Sequence, residues 1–210
     1  MTNISQKMVN INQKMVSVMQ ELDLTKSISI HALAKKVNEP YTSVHRQITK
    51  LSKLEVVMLE RKGNNNFVSL NFSNELTRHL LSVVNYFKKE NLVNKHPLLK
   101  IVAKKFIFNS PLLIFGSYAN RKKRNGSDLD LCVLGLNLRE EKLFKKSLRE
   151  VELIHKQEIN CLFFRESELL SMLKSKSHNV GKEIFLNHLV LKNADLWYNL
   201  VVEVYDEIRL

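Results

Sequence analysis

A glycine–serine pair, Gly116-Ser117, and the pentapeptide Ser127-Asp128-Leu129-Asp130-Leu131 constrain this chain more than any other part of it. The apolar run Leu112 to Phe115 leads into the pair, and a second apolar run carries the two aspartates. Short apolar runs bounded by glycine and polar residues read as buried strands. Residues i and i+2 on a strand point to the same face. Asp128 and Asp130 therefore project from one side, and Leu129, Leu131 and Val133 from the other. Two adjacent carboxylates repel, and near a core they are costly unless a cation sits between them. Hard oxygen ligands at this spacing suit Mg²⁺ or Mn²⁺, bound through one or two carboxylates together with substrate phosphates. A Gly-Ser turn at the end of the preceding strand offers backbone N–H groups and a hydroxyl, the donors that hold phosphate.

The run Gly116-Ser117-Tyr118-Ala119, followed by Gly126-Ser127-Asp128-Leu129-Asp130-Leu131, resembles the signature of the minimal nucleotidyltransferases, relatives of the polymerase beta catalytic domain. The resemblance covers roughly residues 95 to 170. It implies a small α+β domain with a mixed sheet and flanking helices, a nucleoside triphosphate as substrate, and Mg²⁺ (or Mn²⁺) held by Asp128 and Asp130. Gly116, Ser117 and Ser127 fall on its phosphate-positioning residues. The chain departs from the pattern after Ala119: Asn120 and Arg121 stand where arginine and then glycine are usual. Arg121 and Lys122 open a basic run, continued by Lys123 and Arg124, that can hold a triphosphate or a nucleic-acid acceptor. A third carboxylate usually completes such a site from a neighbouring strand. The candidate strand is Ile154 to Phe164, where Ile159, Cys161 and Phe163 face one way and Lys156, Glu158 and Asn160 the other. Either Glu158 or Asn160 fits the third catalytic position. Glu158 there supplies a third metal ligand and a general base; Asn160 there removes both.

A hydrophobic content of 44% with only three prolines and five glycines fits folded domains and argues against a disordered chain. No uninterrupted apolar stretch approaches membrane-spanning length, so no membrane partner is expected. The polar N-terminus lacks an apolar signal region. Cys132 and Cys161 both fall in expected strands without metal-ligand spacing and read as buried free thiols. These features point to the cytoplasm. A formal net charge of +12 favours polyanionic partners such as nucleic acid or nucleotides.

Residues 1–73 read as a separate module. Met15 to Leu22 is a short helical candidate. Ser29 precedes Ile30, Leu33, Ala34 and Val37, which form one apolar helical face. Asn38-Glu39-Pro40 breaks that helix, and Val44, Ile48, Leu51 and Leu54 mark a second from Tyr41 to Leu54. Two strand-like runs follow, Val56 to Glu60 and Phe67 to Phe72, with residues 61–66 as a turn. This order is similar to a winged helix-turn-helix, with the second helix as the recognition helix. The similarity implies double-stranded DNA as a partner. Ser43, His45, Arg46, Gln47 and Lys50 would then face the duplex from the helix, and Arg61 and Lys62 from the wing.

Residues 74–94, with Leu76, Leu80, Leu81, Val84 and Phe87, read as an amphipathic connecting helix whose stripe can pair a second copy in a homodimer. Residues 95–210 then form the nucleotidyltransferase domain with C-terminal helices. In that region Glu166 to Leu173 reads as a helix, Ile184 to Leu191 as a strand or a buried helical turn, and Trp197 to Ile208 as a final helix. Arg149 and His155 are expected to flank a helix-to-strand junction and to carry no site. The expected function is Mg-dependent transfer of a nucleoside monophosphate from a triphosphate to an acceptor hydroxyl, targeted by the DNA-binding module. Two alternatives stand beside it: a regulator that senses nucleotide without chemistry, and an antitoxin-like transferase acting on a partner protein.

Overall fold

The computed structural model describes residues 11–119 and 127–208. The chain forms two compact units that divide between Thr77 and Arg78.

In the first unit, helix α1 (Gln13–Gln20) starts where the Asn12 side chain accepts the Met15 N–H at 2.9 Å. Strand β1 (Ile28–Ser29) runs directly into α2 (Ile30–Val37), and the Ser29 hydroxyl accepts the Ala32 N–H. A side-chain oxygen at this position satisfies one of the helix's orphan donors. Asn38 ends α2 in the left-handed conformation, φ 52, a conformation asparagine tolerates better than most residues. Pro40 then precedes α3 (Tyr41–Lys53). Val44, Gln47, Ile48 and Leu51 make the buried face of α3, and both α1 and α2 pack against this helix.

Strands β2 (Val57–Lys62) and β3 (Asn65–Leu70) form an antiparallel hairpin, and β1 adds to the other edge of β3. The expected six-residue turn is a two-residue one. Arg61 pairs with Asn66 and Lys62 with Asn65, leaving Gly63-Asn64 as the connection. Gly63 takes φ +59, and a positive φ at that place lets a hairpin close in two residues. The asparagines that suggested a loop still offer ordinary backbone groups to the ladder.

In the second unit, α4 (Glu75–Lys95) begins at the end of the first, and α5 (Pro97–Lys105) follows with proline in its first turn. The remaining order is β4 (Leu112–Phe115), α6 (Gly116–Ala119), β5 (Leu129–Leu134), α7 (Leu138–His155), β6 (Ile159–Phe164), α8 (Glu166–Lys174), α9 (Val180–Leu186), β7 (Leu189–Lys192) and α10 (Ala194–Ile208). The sheet order is β6-β5-β4-β7. β4 is antiparallel to both neighbours, and β6 is parallel to β5. A parallel pair needs a long crossover, which α7 supplies. The architecture is α+β, with a mixed sheet and flanking helices.

One face of this sheet carries Leu112, Ile114, Leu129, Leu131 and Val133. They form a core with Leu99, Val102 and Phe106 of α5 and with Phe144, Leu148 and Val151 of α7. Three expectations are corrected. Ile154 and His155 close α7 instead of opening a strand, because Lys156 ends the helix in the left-handed conformation and β6 starts at Ile159. Arg149 and His155 consequently lie on one helix. Phe87 is 45% exposed, so the buried face of α4 rests on Leu80, Leu81, Val84 and the polar Asn85.

Candidate active site

Every part of the site hangs on the β4–β5 pair. Antiparallel register sets Phe115 opposite Asp130, so the residue after Phe115 emerges beside the Asp130 side chain. That residue is Gly116, with φ +65. A Cβ built on it would overlap Asp130 Oδ2 and lie 3.1 Å from Asp130 Cγ. Glycine is required here twice over, by backbone conformation and by the carboxylate pressed against it. Ser117 follows as the first turn of α6 begins. Its Oγ is shielded from solvent and has no hydrogen-bond partner among the described residues. Buried hydroxyls are almost always bonded, and an orphan next to the half-buried turn at Gly116 that the Asp130 carboxylate packs against suits a bound phosphate or solvent.

The strand entry that carries Asp128 is pinned from the α7–β6 connection. The Gln157 side-chain amide donates to the Ser127 carbonyl at 2.9 Å, and the Leu129 N–H donates to the Glu158 carbonyl at 2.9 Å. Asp128 and Asp130 are both half-buried. Burial raises the Asp130 carboxyl above its ordinary value, and the negative charges of Asp128 and Glu183 push the same way. A hydrogen bond from the Asn160 side chain opposes them without cancelling them. Two residues farther along β5, burial pushes the Cys132 thiol up to about 12. The strand thus passes from a solvated, charged end into dry core within one turn of the pleat.

Parallel pairing of β5 with β6 puts Asn160 in register with Asp130. Glu158 stands one residue before β6, is exposed, and gives its backbone carbonyl to the ladder. The structure therefore brings together Gly116, Ser117, Asp128, Asp130 and Asn160, with Ser127 adjoining them. Arg121 and Lys122 lie outside the described residues. Among the described residues no group of three His, Cys, Asp or Glu side chains is placed to hold a metal ion. Asp128, Asp130 and the partnerless Ser117 hydroxyl nevertheless suit a divalent cation carried in with phosphate oxygens. Sequence reasoning missed Gln157 and Glu183. Neither carries a local signal, since Gln157 reaches the Ser127 carbonyl 30 residues away and Glu183 acts on Asp130 from α9.

The basic residues of the first unit divide differently. His45, Arg46 and Lys50 are exposed on α3, and Arg61 and Lys62 are exposed at the end of β2. Ser43 is half-buried, and its backbone N–H donates to the Pro40 carbonyl at 3.0 Å. Gln47 is 6% exposed and is withdrawn from the nucleic-acid face. It falls three residues after Val44 and four before Leu51, on the inner stripe of the helix. An unforeseen ring stack lies at the start of α3, with His31 to Tyr41 at 4.4 Å and Tyr41 to His45 at 5.7 Å.

Residues 98–195 match the model of the family described as Polymerase beta, Nucleotidyltransferase, a span that includes the whole aspartate site. Residues 10–75 match a second family model, HVO_A0114, whose description carries no activity. No curated protein matches the chain. Among the described residues no helix is long and apolar enough to cross a membrane.

Proposed function

We propose that residues 98–195, a nucleotidyltransferase domain of the polymerase beta superfamily, move a nucleoside monophosphate from a nucleoside triphosphate to an acceptor hydroxyl on nucleic acid or on a partner protein. In this reading the first unit is a winged helix-turn-helix that brings the domain to duplex DNA. The observation that carries the catalytic half is the Asp130 carboxylate seated against Gly116 beside the partnerless Ser117 hydroxyl.

Gly116 and Ser117 present the backbone turn and hydroxyl to the β and γ phosphates, and the missing Cβ leaves room for the Asp130 carboxylate beside them. Arg121 and Lys122 add positive charge to the same triphosphate. Asp128 and Asp130 would hold Mg²⁺ or Mn²⁺, which when bound neutralises charge around the transferred phosphorus. Gln157 keeps the Asp128 segment in place through the Ser127 carbonyl. The acceptor oxygen bonds to the α-phosphorus and gives up its proton to solvent as the bond to the bridging oxygen breaks, and pyrophosphate leaves. The test uses labelled nucleoside triphosphates, Mg²⁺, and duplex or protein acceptors. Transfer should vanish in a folded Asp128→Ala/Asp130→Ala variant, and transfer that persists there overturns the mechanism.

Asn160 favours a second reading, a regulator whose DNA affinity responds to nucleotide. A carboxamide in register with Asp130 cannot accept the acceptor's proton. Duplex binding that changes with ATP or GTP while no pyrophosphate is released would select this reading over the first.

A further inference from the structure

We infer that this site takes one divalent cation with its nucleotide, and that Asn160 is the residue that sets the count. The inference rests on the nucleotide-binding reading above and goes beyond it to the site's metal capacity. Asp130 has two strand neighbours. On the β4 side its register partner is Phe115, followed by Gly116, and neither offers a side-chain oxygen. On the β6 side its partner is Asn160, a neutral carboxamide that favours the ionised Asp130 carboxylate.

A carboxylate accepts hydrogen bonds and metal ions through the same lone pairs. An amide N–H turned toward Asp130 would occupy one of those lone-pair directions, and a carbonyl oxygen turned there instead would add no charge. Asp128 and Asp130, together with the phosphate oxygens of the nucleotide, suffice to hold one dication. A second dication, held toward the acceptor side, would have to share those two carboxylates with the first without a third protein carboxylate of its own. Glu183 adds negative charge from α9, yet among the described residues no third carboxylate converges with the pair. The carboxylate nearest that position in sequence, Glu158, stands two residues before Asn160 and outside β6.

Mn²⁺ serves as the probe, together with a non-hydrolysable triphosphate analogue, and electron paramagnetic resonance and titration calorimetry count bound ions independently of turnover. The parent protein should hold one Mn²⁺ per bound nucleotide with no Mn–Mn coupling. Asn160→Asp should hold two, with a coupled spectrum. Two coupled ions in the parent overturn the inference without recourse to any variant. A folded Asn160→Asp protein that still binds one ion overturns the assignment to residue 160. Failure of the analogue to bind the parent at all overturns the nucleotide-binding reading and the inference with it.

Discussion

At the scale of single residues, Gly116 is the least replaceable position in the site. Left-handed backbone costs a non-glycine residue about 1–3 kcal/mol, and the added methyl must also displace the Asp130 carboxylate. Gly116→Ala should lower stability by about that amount in urea unfolding. It should also weaken binding of a fluorescent nucleotide well beyond what the lost stability explains. Asp130 gives a prediction with a definite sign. Its raised carboxyl keeps a proton in the folded state to higher pH than in the unfolded chain. Stability therefore falls as pH rises through the interval between the ordinary carboxylate value and the raised one. A divalent cation binds the ionised form and offsets that loss. The Mg²⁺-induced rise in melting temperature should be small near pH 4, larger near pH 7, and absent in Asp130→Asn. A shift that does not depend on pH would mean the cation binds elsewhere.

At the scale of elements, a polar residue stands in for a strand. The buried Asn85 of α4 donates to the Val190 carbonyl at 2.8 Å and accepts the Val190 N–H at 3.0 Å. It supplies a partner at Val190 of β7, which pairs with β4 along the sheet. Asn85→Ala would strand two buried backbone groups, each worth about 1–3 kcal/mol. We expect a loss of about 2–4 kcal/mol in urea unfolding of the second unit. A change below about 0.5 kcal/mol, the range of ordinary surface substitutions, would mean that water replaces the amide.

Asn85 also shows where reading from sequence stops. Leu80, Leu81 and Val84 were legible because a helical stripe repeats within a few residues, but the partner of Asn85 lies 105 residues away. Strand β1 was missed because two residues carry no alternation. Residues 184–191 read as either strand or helical turn because both occur: Ile184 lies in α9, which ends at Leu186, and Leu189 opens β7. The Gly-Ser pair and the aspartates were legible because chemistry and strand period coincide there. The choice between Glu158 and Asn160 needed the β5–β6 register, and Gln47 needed the packing around α3.

At the scale of the whole molecule, a net charge of +12 and the exposed cations of the first unit make a duplex the natural polyanion to test. Arg46 sits on the outer side of α3, where an arginine can reach a guanine edge. Arg46→Ala should cost about 1–3 kcal/mol at a preferred site and relax preference at one base. Lys62 pairs with Glu60 at 3.1 Å. An exposed pair of that kind contributes little, so the ammonium can turn to a phosphate without a large penalty. Lys62→Ala should weaken binding to every duplex alike and lower the salt slope by about one unit. Gln47 serves as the internal control, because its buried Oε1 has no partner among the described residues. Gln47→Leu should leave duplex affinity unchanged and stability equal or higher. Fluorescence anisotropy on random and selected duplexes over a salt series measures all three. If a folded Arg46→Ala/Lys62→Ala protein binds each duplex as tightly as the parent, the first unit does not read DNA. The module then serves as a dimerisation domain, held by contacts other than these cations.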